Sequence, residues 1–473
     1  MVVGDIAVGT EVLVIGAGPG GYVAAIRAAQ LGKEVTLVDA DKLGGVCLNY
    51  GCIPSKALIT AAHFFDRITA WGDRGIEVDG VQVNFEKLQA WKAGVVKRLV
   101  SGVDQLCKGN SVEVIFGRAS FTATNRARIE IEAGIQHIEF KHAIIATGSR
   151  SIELPGFEFD GERILSSRHT LDLDEIPERL LVIGGGYIGL ELGDTYAKLG
   201  SQVTVIELTG QLLPGTDPDL VKVVERRLKK DGVTVHLNTQ ATGVEDEDQE
   251  GSIQVTVAHD EQTETLEVDR VLVTVGRRPN SEGFGLEEIG VEVDDQGFIV
   301  VDQQLSTSVP RIYAIGDVAG GPMLAHKASH EGIIAAEVIA GLPSAADYVA
   351  VPAVIFTDPE IATVGLTEAQ ANEQGYETIT GRFPFAALGR ALTTGETAGF
   401  VKIVADAETE VVLGVHIVGP EASNLISEAT LALEMAATVE DLALTIHPHP
   451  TLPESLMEAA EDVVAKAIHI LRR

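Results

Sequence analysis

The sequence predicts an α/β fold made of several domains, and three observations carry this prediction. Its 473 residues correspond to two to four domains of ordinary size. A glycine-rich turn between a buried strand and a helix begins at Gly16 and again at Gly184, which is 168 positions later. Beyond residue 350 the pattern changes to β-rich segments followed by helices. We therefore expect two Rossmann-like dinucleotide-binding domains followed by a C-terminal α+β domain.

The first glycine-rich turn has the spacing of a dinucleotide-binding unit. An apolar strand over residues 11–15 leads into Gly16, Gly18 and Gly21, and a second strand over 35–38 ends at Asp39. The first glycine permits the turn, the second lets the backbone approach a pyrophosphate, and the third lets helix pack on strand. Asp39 can accept hydrogen bonds from ribose hydroxyls. The glycines alone are weak evidence, but strand, helix, second strand and acid together predict a dinucleotide site.

The second turn repeats this unit far beyond its glycines. Gly184, Gly186 and Gly189 follow the strand over 180–183, and Glu207 takes the place of Asp39. A carboxylate about 4 Å from a phosphate charge costs about 4 kcal/mol at an effective dielectric constant near 20. At about 1.4 kcal/mol per factor of ten, that cost corresponds to nearly a thousandfold preference for NAD over NADP. No basic residue adjoins Glu207, so we expect a second coenzyme, NAD.

Two cysteines, Cys47 and Cys52, lie five positions apart beside the first unit. In an unbroken helix five residues rise by about 7.5 Å, which exceeds the usual Cα separation of about 4.4–6.8 Å in a disulfide. Gly51 can break the helix, and Pro54 fits the first turn of a following one. Cys52 would then lie at a helix N-terminus, where the dipole favours a thiolate.

Other roles for these cysteines are less well supported. Cys107 is the only other cysteine, so a four-cysteine zinc site is impossible. A structural crosslink of so short a loop would remove little entropy from the unfolded chain. We therefore interpret the pair as a redox element.

Composition excludes several classes of partner. The chain has 36 basic and 69 acidic residues, a net charge of −33, which would repel nucleic acid and anionic membranes. The first ten residues carry Asp5 and lack the pattern of a secretory signal. The apolar stretch 12–31 is interrupted by glycines and Arg27, which argues against a membrane span. We expect a cytoplasmic protein, since three cysteines suit a reducing compartment.

The acidic excess suggests adaptation to high salt. It is spread over the chain and is densest at 245–248, Glu-Asp-Glu-Asp. Concentrated salt would screen the self-repulsion of such a surface. The alternative is an ordinary acidic bacterial protein.

The segment Cys-Leu-Asn-Tyr-Gly-Cys-Ile-Pro-Ser-Lys at 47–56 resembles the active disulfide of the pyridine nucleotide-disulfide oxidoreductases. It is most similar to the branch that oxidises dihydrolipoyl groups, and the similarity runs from about Val12 to the C-terminal helix. The resemblance implies FAD in the first unit and NAD in the second. It also implies four segments: 1–150 for FAD binding, 151–280 for NAD binding, 281–348 returning to the FAD side as a central domain, and 349–473 as an interface domain.

The resemblance further implies roles for residues outside the two fingerprints. On the FAD side they are Lys56 near the flavin, Ala119 in a backbone loop, Thr147 and Gly148 after the return strand, and Asp317 with Ala325. On the NAD side they are Glu191 beside the nicotinamide and Gly276. Two simpler alternatives stay open: Asp317 could cap the following helix, and Glu191 could be a helix-surface carboxylate.

The last motif in the chain resembles the acid–base pair of the family. His449 and Glu454 match it, with the carboxylate holding the imidazole in one tautomer. Relatives commonly have Ala and Ser where this chain has Pro448 and Pro453. The resemblance also implies a homodimer in which this histidine reaches the disulfide of the other subunit.

The implied reaction is oxidation of protein-bound dihydrolipoyl groups with reduction of NAD⁺, through a Cys47–Cys52 disulfide and FAD. The implied partner is a lipoyl-bearing protein of a 2-oxoacid dehydrogenase or glycine cleavage system, and we expect no metal, nucleic acid or membrane. One alternative is another NAD(P)-dependent disulfide reductase. A glutathione reductase should prefer NADP, however, and a mercuric reductase should end in a cysteine pair, whereas no cysteine follows Cys107. The other alternative is a mainly structural flavoprotein subunit of a 2-oxoacid dehydrogenase complex.

Overall fold

The computed structural model describes residues 7–246, 252–259 and 262–471. Asp5 and the acidic residues Glu247 and Asp248 lie outside these ranges. The remaining chain forms three main sheets that are covered by helices.

The first sheet contains the first glycine-rich turn. Its parallel part has the order β3-β2-β1-β6, and β5 and β4 continue it in antiparallel fashion. Buried valine, leucine and isoleucine side chains fill β1 and β2, as expected of parallel strands covered on both faces. The elements are β1 (Ala7–Ile15), α1 (Pro19–Gln30), β2 (Val35–Asp39), α2 (Gly45–Tyr50), α3 (Cys52–Ala70), α4 (Phe85–Gly109), β3 (Glu113–Phe116), β4 (Arg118–Ala123), β5 (Arg126–Ile131), β6 (Gly134–Ile145) and β7 (Ser149–Ser151), with a 3₁₀ turn at Gly72–Arg74.

The second sheet is wholly parallel, in the order β11-β10-β9-β15-β8, and a small antiparallel sheet of β12, β13 and β14 accompanies it. The elements are β8 (Ile164–Leu165), α5 (Ser167–Leu171), β9 (Arg179–Ile183), α6 (Tyr187–Lys198), β10 (Gln202–Ile206), α7 (Pro218–Lys230), β11 (Thr234–His236), β12 (Thr239–Asp246), β13 (Ile253–His259), β14 (Gln262–Val268) and β15 (Arg270–Val273).

The chain then returns to the first sheet. β16 pairs with β7, and β17 joins the first sheet in parallel beside β6, with Ile312 opposite Ala143. α9 packs on α1 so closely that a Cβ on Gly332 would lie 2.5 Å from the carbonyl oxygen of Gly20. The elements are β16 (Arg277–Pro279), α8 (Leu286–Ile289), β17 (Ile312–Ala314), a 3₁₀ turn (Gly316–Ala319) and α9 (Ala325–Ile339).

The C-terminal part is an antiparallel sheet in the order β18-β19-β22-β21-β20, with helices packed on it. A separate hydrophobic core, including Phe383, Phe385 and Ile417, lies between sheet and helices. The predicted fold class is thereby confirmed. The elements are β18 (Ala353–Ile355), β19 (Glu360–Gly365), α10 (Glu368–Glu373), β20 (Thr378–Pro384), a 3₁₀ turn (Phe385–Ala387), α11 (Gly389–Thr394), β21 (Phe400–Asp406), β22 (Val412–Gly419), α12 (Ala422–Glu434), α13 (Val439–Leu444) and α14 (Glu454–Val463).

Candidate active site

The first glycine-rich turn has the backbone that its sequence predicts. Gly16 has φ of +102°, and a Cβ there would lie 2.2 Å from the carbonyl oxygen of Ala146. A Cβ on Gly21 would lie 1.7 Å from the carbonyl oxygen of Gly16, so α1 can approach β1 only with glycine at this position. A Cβ on Gly18, by contrast, would meet no atom within 4 Å. Open space at the N-terminus of α1 fits a pyrophosphate bound by free N–H groups.

The second turn reproduces this geometry. Gly184 has φ of +105°, and a Cβ there would lie 2.6 Å from the carbonyl oxygen of Thr274. A Cβ on Gly189 would lie 2.4 Å from the carbonyl oxygen of Gly184, while Gly186 faces open space. The repeat in sequence is therefore a repeat in backbone conformation, at the N-terminus of α6.

The acids that end β2 and β10 also occupy matching positions. The Asp39 carboxylate accepts a hydrogen bond of 2.6 Å from the Ala17 N–H, and Glu207 accepts one of 2.7 Å from the Gly185 N–H. Glu207 also accepts hydrogen bonds of 2.8 Å from the N–H and hydroxyl of Thr209. Burial raises the pKa of Asp39, and the backbone N–H groups oppose that rise. Each acid therefore holds its own glycine-rich turn by a hydrogen bond to the backbone.

A cavity of about 710 Å³ extends from the first glycine-rich turn to the cysteine pair. This volume is within the range of cofactor sites. The predicted site residues that do not line it are Gly21, Gly184, Gly186, Gly189, Glu207, Gly276, His449 and Glu454. The predicted site residues that line it are Gly16, Gly18, Asp39, Cys47, Cys52, Lys56, Ala119, Thr147, Gly148, Glu191, Asp317 and Ala325.

The two cysteines lie on either side of a helix break. Cys47 is in α2, Gly51 has φ of −144° and ψ of −107°, and Cys52 begins α3. The break predicted at Gly51 is therefore present. Both side chains are free thiols here, and the Cys47 S–H donates a hydrogen bond to the Cys52 sulfur.

The surroundings of the pair favour a thiolate on Cys52. Its pKa is lowered to about 7, first by the hydrogen bond from Cys47 and then by the charge of Lys56, which together outweigh burial. The same hydrogen bond, together with burial, raises the pKa of Cys47. One sulfur is thus suited to carry negative charge and the other to remain protonated.

Lys56 and Glu191 form an ion pair beside the cysteines, at 2.8 Å. The Glu191 side chain is only 5% exposed, and its second oxygen accepts a hydrogen bond of 2.9 Å from the Phe356 N–H. A helix-surface carboxylate is therefore the wrong description of Glu191, because α6 turns this residue towards the cavity.

Asp317 lines another wall of the cavity. It accepts a hydrogen bond of 2.5 Å from the Ser149 hydroxyl, and the preceding Gly316 N–H donates to Glu331 at 2.7 Å. Glu331 is buried and paired with Lys327 at 2.7 Å. Because the N-cap of α9 is Leu324, without a side-chain cap, Asp317 does not cap the following helix.

His449 and Glu454 are paired but do not line this cavity. The His449 Nδ1 lies 2.8 Å from a Glu454 oxygen, and the Thr451 N–H donates to the other oxygen at 2.7 Å. Burial acts to raise the pKa of Glu454, but the hydrogen bonds from Thr451 and His449 lower it overall. The His449 side chain is 77% exposed, so its Nε2 is available to a group outside this chain.

Sequence reasoning missed several residues that shape the site. Phe356 contributes both a backbone N–H and a ring beside Lys56, and its segment carries no motif. Ser149 and Glu331 hold Asp317 and Gly316. Ser149 directly follows the predicted Thr147–Gly148 turn, which was the available signal. Tyr187 lines the cavity within the second fingerprint.

The described residues hold no group of three or more His, Cys, Asp or Glu side chains that could bind a metal ion. Among the helices of this part of the chain, none has both the length and the apolar character to cross a bilayer.

A dinucleotide cradle and a thiol pair that share one cavity, with a second cradle on the next sheet, define a nucleotide-dependent disulfide oxidoreductase. Comparisons with known proteins agree. The family model "Pyridine nucleotide-disulphide oxidoreductase" matches residues 10–332, and its "dimerisation domain" model matches residues 351–460. The chain belongs to this family, in the branch of the dihydrolipoyl dehydrogenases.

The branch is shown by relatives of the same length. The chain is 54% identical to dihydrolipoyl dehydrogenase of Geobacillus stearothermophilus and 54% identical to that of Haloferax volcanii, with all of each chain covered. Among solved structures, LpdA from Mycobacterium tuberculosis superimposes with a TM-score of 0.89 at 31% identity, over 96% of this chain and 99% of that chain. The chain is thus an oxidoreductase whose cofactors are FAD and NAD.

Proposed function

We propose that the chain oxidises dihydrolipoyl groups to lipoyl groups and reduces NAD⁺. The observation that carries this proposal is the single cavity in which the cradle before α1 meets Cys47, Cys52 and the Lys56–Glu191 pair. The open N-terminus of α1 fits the FAD pyrophosphate, and the equivalent N-terminus of α6 fits that of NAD. We also propose that segments 1–150 and 281–348 hold FAD, that 151–280 holds NAD and that 349–473 forms the interface domain.

The thiol chemistry follows from the different surroundings of the two sulfurs. In the oxidised enzyme Cys47 and Cys52 form a disulfide. His449 removes a proton from a dihydrolipoyl thiol, and the resulting thiolate attacks Cys47, displacing Cys52 as a thiolate. The second substrate thiol then attacks the substrate sulfur of the mixed disulfide and breaks its bond to Cys47, which takes up the proton of that thiol. Oxidised lipoyl is released, and Cys47 is left as a thiol beside the Cys52 thiolate. Bound FAD and NAD⁺ supply the hydride chemistry that takes two electrons from this pair.

The exposed His449 supports catalysis between two copies of the chain. His449 does not line the cavity that contains Cys47 and Cys52 in its own chain. If His449 is the base, the one that serves a given cavity must therefore belong to a second copy of the chain. Apolar side chains near it are strongly exposed, with Ile446 94% and Leu444 73% accessible. Burying them against a second copy would be favourable. We propose a homodimer in which each subunit provides the histidine for the other.

The proposed partner is a lipoyl-bearing protein of a 2-oxoacid dehydrogenase or glycine cleavage system. The test is turnover of purified, FAD-loaded protein with free dihydrolipoamide, with reduced glutathione as the competing thiol, and with NAD⁺ or NADP⁺ as acceptor. We expect the highest rate with dihydrolipoamide and NAD⁺, and loss of that rate in Cys47→Ser. A higher rate with glutathione or NADP⁺ would identify another disulfide reductase instead.

A further inference from the structure

A turn of the C-terminal domain, residues 356–359 between β18 and β19, reaches the redox helices. Phe356 donates its N–H to Glu191 at 2.9 Å. The ammonium nitrogen of Lys56 lies 4.5 Å from the centroid of the Phe356 ring. One residue of the C-terminal domain therefore contacts both members of the ion pair beside Cys52.

The remainder of the turn is anchored by ion pairs. Asp358 lies 3.0 Å from Arg227 of α7 and 3.4 Å from Lys198 of α6. The Lys198 side chain is 1% exposed and also pairs with Asp194 at 2.6 Å. The Asp358 side chain itself is 30% exposed, and its ion pairs join the turn to both α6 and α7. Asp358 thereby anchors the turn that carries the Phe356 ring.

The position of Lys56 needs such a constraint. A lysine ammonium is a hydrated point charge on a flexible stem of four carbons, and the Lys56 side chain is 31% exposed. Glu191 attracts this charge but does not restrict it to one side of the carboxylate. An aromatic face adds a second, directional attraction for a cation. The ring and the carboxylate together limit Lys56 to the region beside Cys52.

We propose that Phe356 is a positioning residue of the redox centre, whose ring keeps the Lys56 ammonium beside Cys52. The C-terminal domain then contributes to the reactivity of the cysteine pair within its own chain. This inference rests on the proposed role of Cys52 as the thiolate of the reduced enzyme. It predicts that Cys52 becomes less acidic when the ring is removed, because Lys56 then moves towards solvent.

The test measures Cys52 directly and does not depend on turnover. FAD-loaded enzyme is reduced with dithiothreitol and treated with iodoacetamide across a pH series, and alkylation of the Cys52 peptide is followed by mass spectrometry. The variants are Phe356→Leu and Phe356→Met, which lack a ring, and Phe356→Tyr, which keeps one. Trp71→Leu is the matched control, because it removes another cation–π contact, with Arg74, at the far end of α3.

We expect the apparent pKa of Cys52 alkylation to rise by about half a unit in Phe356→Leu and Phe356→Met. The Tyr variant and the Trp71 control should match the wild-type protein. A value unchanged in both ringless variants would overturn the proposal, as would an equal rise in Trp71→Leu. Having two ringless variants guards against misfolding of one. If the wild-type enzyme did not turn over dihydrolipoamide but the Phe356 variants still showed the rise in the Cys52 pKa, the proposed substrate would be rejected. The proposed role of Phe356 would still hold.

Discussion

Replacing Glu454 by glutamine tests the acid–base pair, since it exchanges one carboxylate oxygen for an NH₂ group at nearly constant shape. In the wild-type protein one oxygen faces the His449 Nδ1 and the other accepts from the Thr451 N–H, at 2.8 and 2.7 Å. The Glu454 side chain is 14% exposed, so water is a poor substitute for either contact. The amide has only one oxygen, so it can accept from either His449 or Thr451 but not from both.

The two orientations have opposite consequences for His449. If the amide oxygen faces Thr451, the NH₂ group donates to Nδ1, and the imidazole proton moves to Nε2, where it blocks the base. If the oxygen faces His449, the active tautomer is kept but two donors meet at Thr451. Leaving that N–H unsatisfied costs about 2 kcal/mol, a factor of about 30 in population. Losing the charged hydrogen bond to the imidazolium lowers the rate by about another factor of 30. Together the two effects should lower kcat/KM by about a thousandfold.

The assay is kcat/KM for dihydrolipoamide with saturating NAD⁺, compared with reduction of the flavin by NADH alone. Only the first measurement requires His449 as a base, so only it should fall in Glu454→Gln. Glu428→Gln is the matched control, because Glu428 pairs with His447 of the same loop at 2.9 Å. A loss below about tenfold in Glu454→Gln, or the same loss in Glu428→Gln, would refute the tautomer argument.

Three further predictions concern the coenzyme, the first cradle and the acidic surface. Glu207→Gln should lower the NAD over NADP preference in kcat/KM by up to about a thousandfold, because the charge that repels a 2′-phosphate is lost; an unchanged ratio would place selectivity elsewhere. Gly21→Ala should abolish FAD retention, measured by flavin fluorescence, because its Cβ would lie 1.7 Å from the Gly16 carbonyl oxygen. Gly94→Ala, whose Cβ meets no atom within 4 Å in α4, should keep FAD and gain up to about 1 kcal/mol of stability. Finally, the net charge of −33 should make the free energy of unfolding rise with KCl concentration as self-repulsion is screened; full stability in dilute buffer would contradict adaptation to salt.

The features that sequence predicted well are those set by short-range spacing. Gly16 and Gly184 adopt left-handed φ angles, and Gly21 and Gly189 allow helix to approach strand, because a fixed glycine spacing encodes one local backbone path. The helix break at Gly51 follows from the five-residue interval between the cysteines. Cys107 is fully buried, consistent with a core residue outside the redox pair.

The sequence was less informative where distant segments meet. Glu191 had two possible environments on an isolated helix, and only the packing of α6 against α3 and the C-terminal turn brings it to Lys56. Asp317 could have capped a helix until its contact with Ser149, 168 positions earlier, was known. Phe356 gave no signal, since one aromatic residue in an apolar segment is ordinary.

By itself, the sequence determined the two glycine-rich turns, the acids that follow them and the spacing of the cysteine pair, because each is a local pattern with one favourable backbone. The paired histidine and glutamate were predicted from the resemblance to the family. The tertiary structure decided which of these share a cavity. It returns β17 to the first sheet so that Asp317 contacts Ser149. It leaves His449 exposed and outside the lining of the cavity that contains Cys47 and Cys52. The physical reason is that contacts between remote segments depend on how sheets and helices bury their apolar faces together, which spacing along the chain does not specify.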